Sequence, residues 1–208
     1  MAARWAQETI TVETQLYFPD IEKKYTFWYV LAQDGSLMVK AQMSPPYQAD
    51  LPEIPRVGLR CFLNSSLQQI DWLGRGPHEN YVDRKAAAFV GWHHKTVQEM
   101  YEPYISPQEH GSRTDVRSVA FCDATGKGLL VSGNDFSFTA SPYSPAELTR
   151  TKWGELHTYD LPKSNKISLC LDHQQMGLGG IDSWLSQPLE KYRIRPELFD
   201  FYFVFKVV

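Results

Sequence analysis

The sequence predicts an all-β protein, an antiparallel β-sandwich, and three observations lead to that fold class. Apolar side chains recur at every second position in about ten short segments. Residues typical of turns separate these segments, and stretches with helical periodicity are almost absent. One domain over residues 1–208 is expected, since sandwiches of this size commonly form a single core.

The N-terminal part, residues 1–54, is predicted to be a β-meander. Alternation with period two runs from Thr9 to Leu16, from Tyr25 to Leu31 and from Ser36 to Ala41. The pair Asp34-Gly35 between the last two runs is typical of a hairpin turn. Three consecutive antiparallel strands are therefore expected here.

Residues 55–208 continue the pattern with a strand from Arg56 to Leu63, in which Gly58 indicates a bulge. A brief strand from Ile70 to Leu73 leads into a polar and aromatic segment, His78 to Phe89, which predicts a long ordered loop. The later β-type runs are Val116 to Cys122, Gly128 to Ser132, Phe136 to Ala140, Ile167 to Asp172 and Phe199 to Val208. The last run is so apolar that burial on both faces is expected.

Local signals also predict one turn and one short helix in this part. Asp123 to Gly126 has the composition of a hairpin turn. Ser144 is suited to cap a helix, Pro145 to occupy its first position and Glu147 to close a capping box.

Composition excludes several classes of function. A formal net charge of -3 without a basic cluster argues against nucleic-acid binding. No apolar stretch approaches the ~20 residues that a membrane-spanning helix needs. The three cysteines, Cys61, Cys122 and Cys170, are widely spaced and odd in number, so a disulfide framework and a cysteine metal site are both disfavoured. A reducing, cytoplasmic location is expected.

Polar groups crowd three segments. Glu79 and Asn80 lie in the first, WLGRGPHENYVDR, where a hydrogen-bonded loop network or a ligand site would explain them. The second, MYEPYISPQEHGSRTDVR, contains Glu109, Arg113 and Arg117. The two arginines are four residues apart, so a regular strand would place both on one face, either in ion pairs or against sugar hydroxyls.

The third segment, MGLGGIDSW, ends in Asp182 and Trp184. An indole can cover the apolar face of a sugar ring while a carboxylate binds its hydroxyls, although a tryptophan that packs on the core is the alternative.

In this order the three segments, with PRVGL before them and the aromatic strand after them, resemble the C-terminal domain, or small chain, of family 2 β-galactosidases. The resemblance is strongest over residues 55–208. It implies a supersandwich of the galactose-mutarotase type that packs beside a TIM-barrel catalytic domain, and a domain that usually begins some tens of residues earlier. The first strands are therefore expected to be missing from this chain.

The same resemblance implies where the chemistry lies. Trp184 and Asp182 would line the galactoside site, while Glu79, Asn80, Glu109, Arg113 and Arg117 would organise loops or contact sugar. The catalytic glutamates, and Mg²⁺ and Na⁺, would belong to the absent catalytic domains. No cofactor or metal is expected in this chain, which would be inactive without a large chain and would work in an oligomer.

Two other functions remain open from the sequence. A free-standing mutarotase would need a histidine and a glutamate as acid and base, and the available residues are His78, His110, His173, Glu79 and Glu109. A non-catalytic carbohydrate-binding module would need only Trp184 and neighbouring aromatic side chains.

Overall fold

A computed structural model describes residues 8–19, 22–43, 53–149, 157–162, 164–179, 182 and 186–208. Within these residues the chain forms ten β-strands and two α-helices of one turn each. They are β1 (Thr9–Phe18), β2 (Lys23–Ala32), β3 (Leu37–Met43), β4 (Arg56–Asn64), β5 (Gln69–Gly76), β6 (Phe89–Thr96), α1 (Val97–Met100), β7 (Arg113–Cys122), β8 (Gly128–Ser141), α2 (Pro145–Leu148), β9 (Lys166–Gln175) and β10 (Phe199–Val207).

The strands pair antiparallel throughout, and β8 is the point from which the sheet divides. One edge of β8 pairs with β7, which continues to β5 and β6. Its other edge pairs with β10 from Leu129 to Gly133 and with β9 from Ser137 to Ser141. Two series of strands therefore leave the same edge, β10-β3-β2-β1 and β9-β4. This arrangement confirms the predicted all-β sandwich.

The core lies among the strands on either side of β8. Its largest fully buried side chains are mostly aromatic, including Trp72, Phe121, Phe136, Phe138, Phe199 and Phe203. Their rings meet edge to face, as in the pairs Phe121–Phe138 and Phe136–Phe203, at 6.1 and 5.4 Å between centroids. Such contacts add stabilisation beyond the burial of area alone.

Local sequence signals proved accurate at turns and caps. The Asp34-Gly35 turn forms, with the backbone N–H of Gly35 donating to Ala32 at 3.0 Å. A register shift at Val57/Gly58 confirms the expected bulge. Ser144 and Glu147 form the predicted capping box of α2. Each of these features depends on residues close in sequence, which explains why it could be predicted.

Three expectations about strands were wrong. Strand β6 was missed, and the runs at Gly128 to Ser132 and Phe136 to Ala140 are parts of one 14-residue strand. Strand β10 buries one face only, because alternate residues such as Asp200 and Tyr202 are at least partly exposed. Its high aromatic content therefore reflects one buried face and a partly covered second face.

No helix in the described part of the chain is long and apolar enough to cross a membrane. The three cysteines, all of them described, are free thiols.

Candidate functional site

The three polar segments identified in the sequence meet in space. We call them the β5–β6 loop (residues 77–88), the α1–β7 loop (residues 101–112) and the β9–β10 segment (residues 176–198, of which 176–179, 182 and 186–198 are described). Hydrogen bonds link the first loop to each of the other two. The described residues of the three segments therefore form one polar region, which the sequence did not predict.

Glu79 joins the β5–β6 loop to the α1–β7 loop. Its carboxylate accepts hydrogen bonds from the Arg84 guanidinium at 2.6 Å, from the backbone N–H of Gly111 at 2.8 Å and from the hydroxyl of Tyr104. Burial alone would raise the pKa of Glu79, but these donors together hold that pKa below its usual value. Glu79 is therefore an ionised carboxylate that fixes two loops to each other.

Asn80 is fully buried and acts as a second bridge between the same loops and strand β7. Its amide nitrogen donates to the carbonyl of His78, and its amide oxygen accepts from the backbone N–H and the hydroxyl of Thr114 at 3.0 and 2.6 Å. The backbone N–H of Asn80 also donates to Ser112. With these partners, the buried Asn80 side chain stabilises the backbone of the loops and does not serve to bind a ligand.

Arg113 is completely buried, and the acceptors of its guanidinium in the described structure are backbone carbonyls. Nε donates to Pro77 at 3.2 Å, and Nη1 donates to Gly111 and Ser112 at 2.9 and 3.3 Å. The guanidinium carbon lies 5.8 Å from the centroid of the Trp72 ring. Burial lowers the pKa of Arg113 to about 10, so the side chain is still charged at neutral pH.

Arg117 does not share a face with Arg113, which corrects the prediction from their spacing. Arg117 is exposed, and its Nη1 donates to the carbonyl of Asp115 at 2.7 Å. The register of β7 shifts on either side of Val116, and Asp115 has a φ of 52°. These irregularities break the period of two, so one arginine is buried and the other is exposed to solvent.

Glu109 belongs to an ionic cluster that reaches across the fold. It accepts from Arg56 Nη1 at 2.8 Å and from the side-chain amide of Gln175 at 3.0 Å. The same arginine donates through Nε and Nη2 to the two carboxylate oxygens of Asp172. Burial raises the pKa of Asp172 to about 6 even though Arg56 acts in the opposite direction. The cluster ties the α1–β7 loop to strands β4 and β9.

Asp83 anchors the start of the β9–β10 segment. Its carboxylate accepts from the backbone N–H of Gly179 at 2.8 Å, and the N–H of Gly177 donates to the carbonyl of Tyr192 at 2.9 Å. A Cβ on Gly177 would lie 2.6 Å from the Asp83 carboxylate, so this close approach requires glycine. The acid therefore holds the backbone that leads towards Asp182 and Trp184.

Trp184 lies outside the described residues, and Asp182 is exposed. Their assignment to a sugar site stays a prediction.

Two open cavities lie beside the β5–β6 loop. One has a volume of about 530 Å³ and is lined entirely by this loop, including Glu79, Asp83 and Arg84. The other has a volume of about 340 Å³ and lies between the loop, strands β7, β8 and β9, and the β9–β10 segment, with Val82, His173 and Tyr192 in its wall. Both are large enough for a monosaccharide unit.

The histidines proposed for an epimerase are placed differently from one another. His110 is buried, and burial lowers its pKa, while its Nδ1 lies 3.4 Å from the backbone N–H of Glu102. His173 stacks on Phe201 with 5.1 Å between ring centroids, and His78 is exposed. Glu79 and Glu109 are both tied into ion pairs, which makes either a poor general base.

Arg56 and Asp172 also belong to this region, although no sequence pattern predicted them. Arg56 lies 53 residues from Glu109 and 116 from Asp172 along the chain, so no local pattern connects them. In the described part of the chain no group of three or more His, Cys, Asp or Glu residues is arranged to hold a metal ion.

The chain is similar to known β-galactosidases over most of its length. The family model described as β-galactosidase small chain matches residues 2–205. A β-galactosidase from Priestia megaterium is 37% identical over 80% of the chain, and one from Pseudoalteromonas haloplanktis is 34% identical over 92%. A β-galactosidase from Vibrio vulnificus is 34% identical over 95%.

The matched region is a small part of these relatives. It covers 16% of the Priestia protein and 18% of the other two. By the family match over nearly all its residues, the chain belongs to the β-galactosidase small chain family.

Proposed function

We propose that this chain is the non-catalytic part of a β-galactosidase that hydrolyses terminal β-galactosides such as lactose. The match of residues 2–205 to the small-chain family carries the proposal, together with relatives that are themselves named β-galactosidase. The catalytic polypeptide, by which we mean the β-galactosidase chain without the region matched here, supplies the reacting carboxylates. The active form is an oligomer of family 2 type in the cytoplasm.

The states of Glu79 and Glu109 support a catalytic centre outside this chain. A glycosidase needs one carboxyl group that is protonated as an acid and one that is free as a nucleophile or base. Three donors hold Glu79 ionised, and Arg56 and Gln175 occupy Glu109. Both side chains therefore maintain loop structure. In this proposal the Mg²⁺ and Na⁺ sites also belong to the catalytic polypeptide.

The role that we assign to this chain is to present the β9–β10 segment to the galactoside. Trp184 stacks on the sugar ring and Asp182 binds hydroxyls, while Asp83 and Tyr192 hold the start of the segment in place. Buried Asn80 and Arg113 make the loops around this anchor rigid. If this chain serves to hold the segment in place, its buried polar side chains are expected to bind the backbone of the surrounding loops.

Hydrolysis of o-nitrophenyl-β-galactoside tests the proposal. The chain alone, the catalytic polypeptide alone and an equimolar mixture are compared, and activity is expected in the mixture only. Trp184→Ala should reduce kcat/KM of the mixture by about 10-fold, since stacking on the sugar is lost. Trp92→Ala removes an exposed indole from β6 and should leave the activity unchanged. Turnover by the chain alone, or no activity on mixing a folded chain, would contradict the proposal.

A further inference from the structure

The β1–β2 hairpin exposes a row of large apolar side chains on one face. Ile10, at 66% exposure, and Val12, at 52%, are typical. Single exposed apolar side chains are ordinary on protein surfaces, whereas a contiguous group marks an interaction surface. We call this group the hairpin face; it consists of Ile10, Val12, Leu16, Phe18, Tyr29 and Leu31.

The hairpin face continues the buried core outwards. Residues opposite each other in antiparallel strands point to the same side of the sheet, and Val12 is opposite Tyr29, Tyr29 opposite Val39, and Val39 opposite Phe203. Along this row the exposure is 52%, 37%, 6% and 1%. The same surface that is fully covered at β10 is therefore uncovered at β1.

On the opposite face of the same strands, polar and charged side chains bind one another, so this face needs no covering layer. Trp28 donates from its indole N–H to Glu13 at 2.9 Å, and the Lys40 ammonium lies 5.7 Å from the centroid of the Trp28 ring. Lys40 also pairs with Asp200 at 3.1 Å. A ladder of polar contacts thus crosses β1, β2, β3 and β10 on the side that faces solvent, so the hairpin is amphipathic.

We propose that apolar strands of the catalytic polypeptide pack on the hairpin face and complete the sandwich over it. This inference rests on the proposed function, because it names the surface through which the two parts associate. A sheet face that continues a core is covered by a second layer about 10 Å away. In the relatives the region matched here is 16–18% of one longer polypeptide, so a covering layer is available at equal stoichiometry.

Two lysine substitutions in adjacent positions of β1 test this surface. Val12→Lys places a charge in the hairpin face, and Thr11→Lys places the same charge on the opposite, exposed face. Affinity for the catalytic polypeptide is measured by biolayer interferometry, with circular dichroism as the check on folding. Val12→Lys should weaken binding by at least about 30-fold and Thr11→Lys by less than about 3-fold, since only the first buries a charge.

The outcomes separate this inference from the proposed function. If the unsubstituted chain binds and Val12→Lys binds equally well, the surface is wrong and the proposed function stands. If the unsubstituted chain does not bind at all, both are wrong. Sedimentation of the chain alone adds a third outcome: a dimer that Val12→Lys abolishes, with binding to the catalytic polypeptide unchanged, would make a second copy the occupant and overturn the proposal.

Discussion

In most proteins apolar side chains are buried and polar side chains are exposed. The β5–β6 and α1–β7 loops and the β1–β2 hairpin depart from this rule in opposite directions. The loop region buries charged and amide groups, with Asn80 of the β5–β6 loop and Arg113 at the start of β7 fully covered, whereas the hairpin exposes valine, isoleucine and phenylalanine. Each of these two buried side chains has several hydrogen-bond partners within the chain. In the hairpin the apolar face has no cover among the described residues.

The difference indicates which parts of the molecule are complete in themselves. The hydrogen bonds of Asn80 and Arg113 hold the backbone of the β5–β6 and α1–β7 loops from within the chain. An apolar face that continues the core gains stability only when another layer covers it. The loops are therefore preorganised, and the hairpin depends on a partner.

The largest expected effect comes from removing the buried guanidinium. Arg113→Met should lower the free energy of unfolding by about 3–5 kcal/mol, because the carbonyls of Pro77 and Gly111 lose the guanidinium N–H donors inside the fold. Urea unfolding measures the change. Arg117→Met is the matched control on an exposed arginine and should change stability by less than about 0.5 kcal/mol. Equal effects would show that the loops do not depend on the buried charge.

The hairpin is tested by the same substitution at two points of one row. Val39→Lys should lower the free energy of unfolding by about 3 kcal/mol, because the side chain is 6% exposed. Val12→Lys should change the stability of the isolated chain by less than about 0.5 kcal/mol, since Val12 is already in solvent. A large loss of stability from Val12→Lys, measured in urea, would mean that the hairpin face is covered within the chain itself.

The ionic cluster at Asp172 is expected to make the free energy of unfolding depend on pH. Its pKa is raised from 3.8 to about 6 by burial, so the folded state retains a proton that the unfolded chain releases between these values. Stability from this group therefore falls as the pH rises from about 4 to 6, by on the order of 2 kcal/mol. Asp172→Asn should remove this dependence, and the exposed control Asp200→Asn should retain it. Parallel pH profiles for all three proteins would contradict the assignment.

The smallest effect is expected on the solvent side of the hairpin. Glu13→Ala removes the acceptor of the Trp28 indole and should cost about 0.5 kcal/mol or less in urea unfolding, because the contact is exposed. Affinity for the catalytic polypeptide should not change. A strong loss of binding would place the interface on this face instead of the hairpin face.

Sequence reasoning succeeded where structure depends on neighbours in the chain. The cap at Ser144, the turn at Asp34 and the bulge at Gly58 each follow from a few adjacent residues. Strand β6 was missed because a glycine and two histidines interrupt its alternation, and an edge strand with half of its residues exposed needs little apolar pattern.

Prediction of the candidate functional site was limited in the same way, because its contacts join residues that are distant in sequence. Glu79, Asn80, Glu109 and Arg113 could be selected because polar residues crowd their loops. Their partners could not be predicted, since Arg56 approaches Asp172 through the pairing of β4 with β9 and contacts Glu109 in a loop 53 residues away along the chain. The separation of Arg113 from Arg117 depends on the positive φ at Asp115, for which the sequence carries no signal.

The most direct test of the account compares one variant from each region in the reconstituted enzyme. Asp83→Ala removes the anchor of the β9–β10 segment, and Asp83→Asn retains an acceptor for the Gly179 N–H. We expect Asp83→Ala to bind the catalytic polypeptide normally but to raise KM for the galactoside, with recovery in Asp83→Asn. Val12→Lys should instead raise the concentration of chain needed for half-maximal activity, with KM unchanged at saturation. If both variants altered the same parameter, the loops and the hairpin would not have the separate roles that we assign to them.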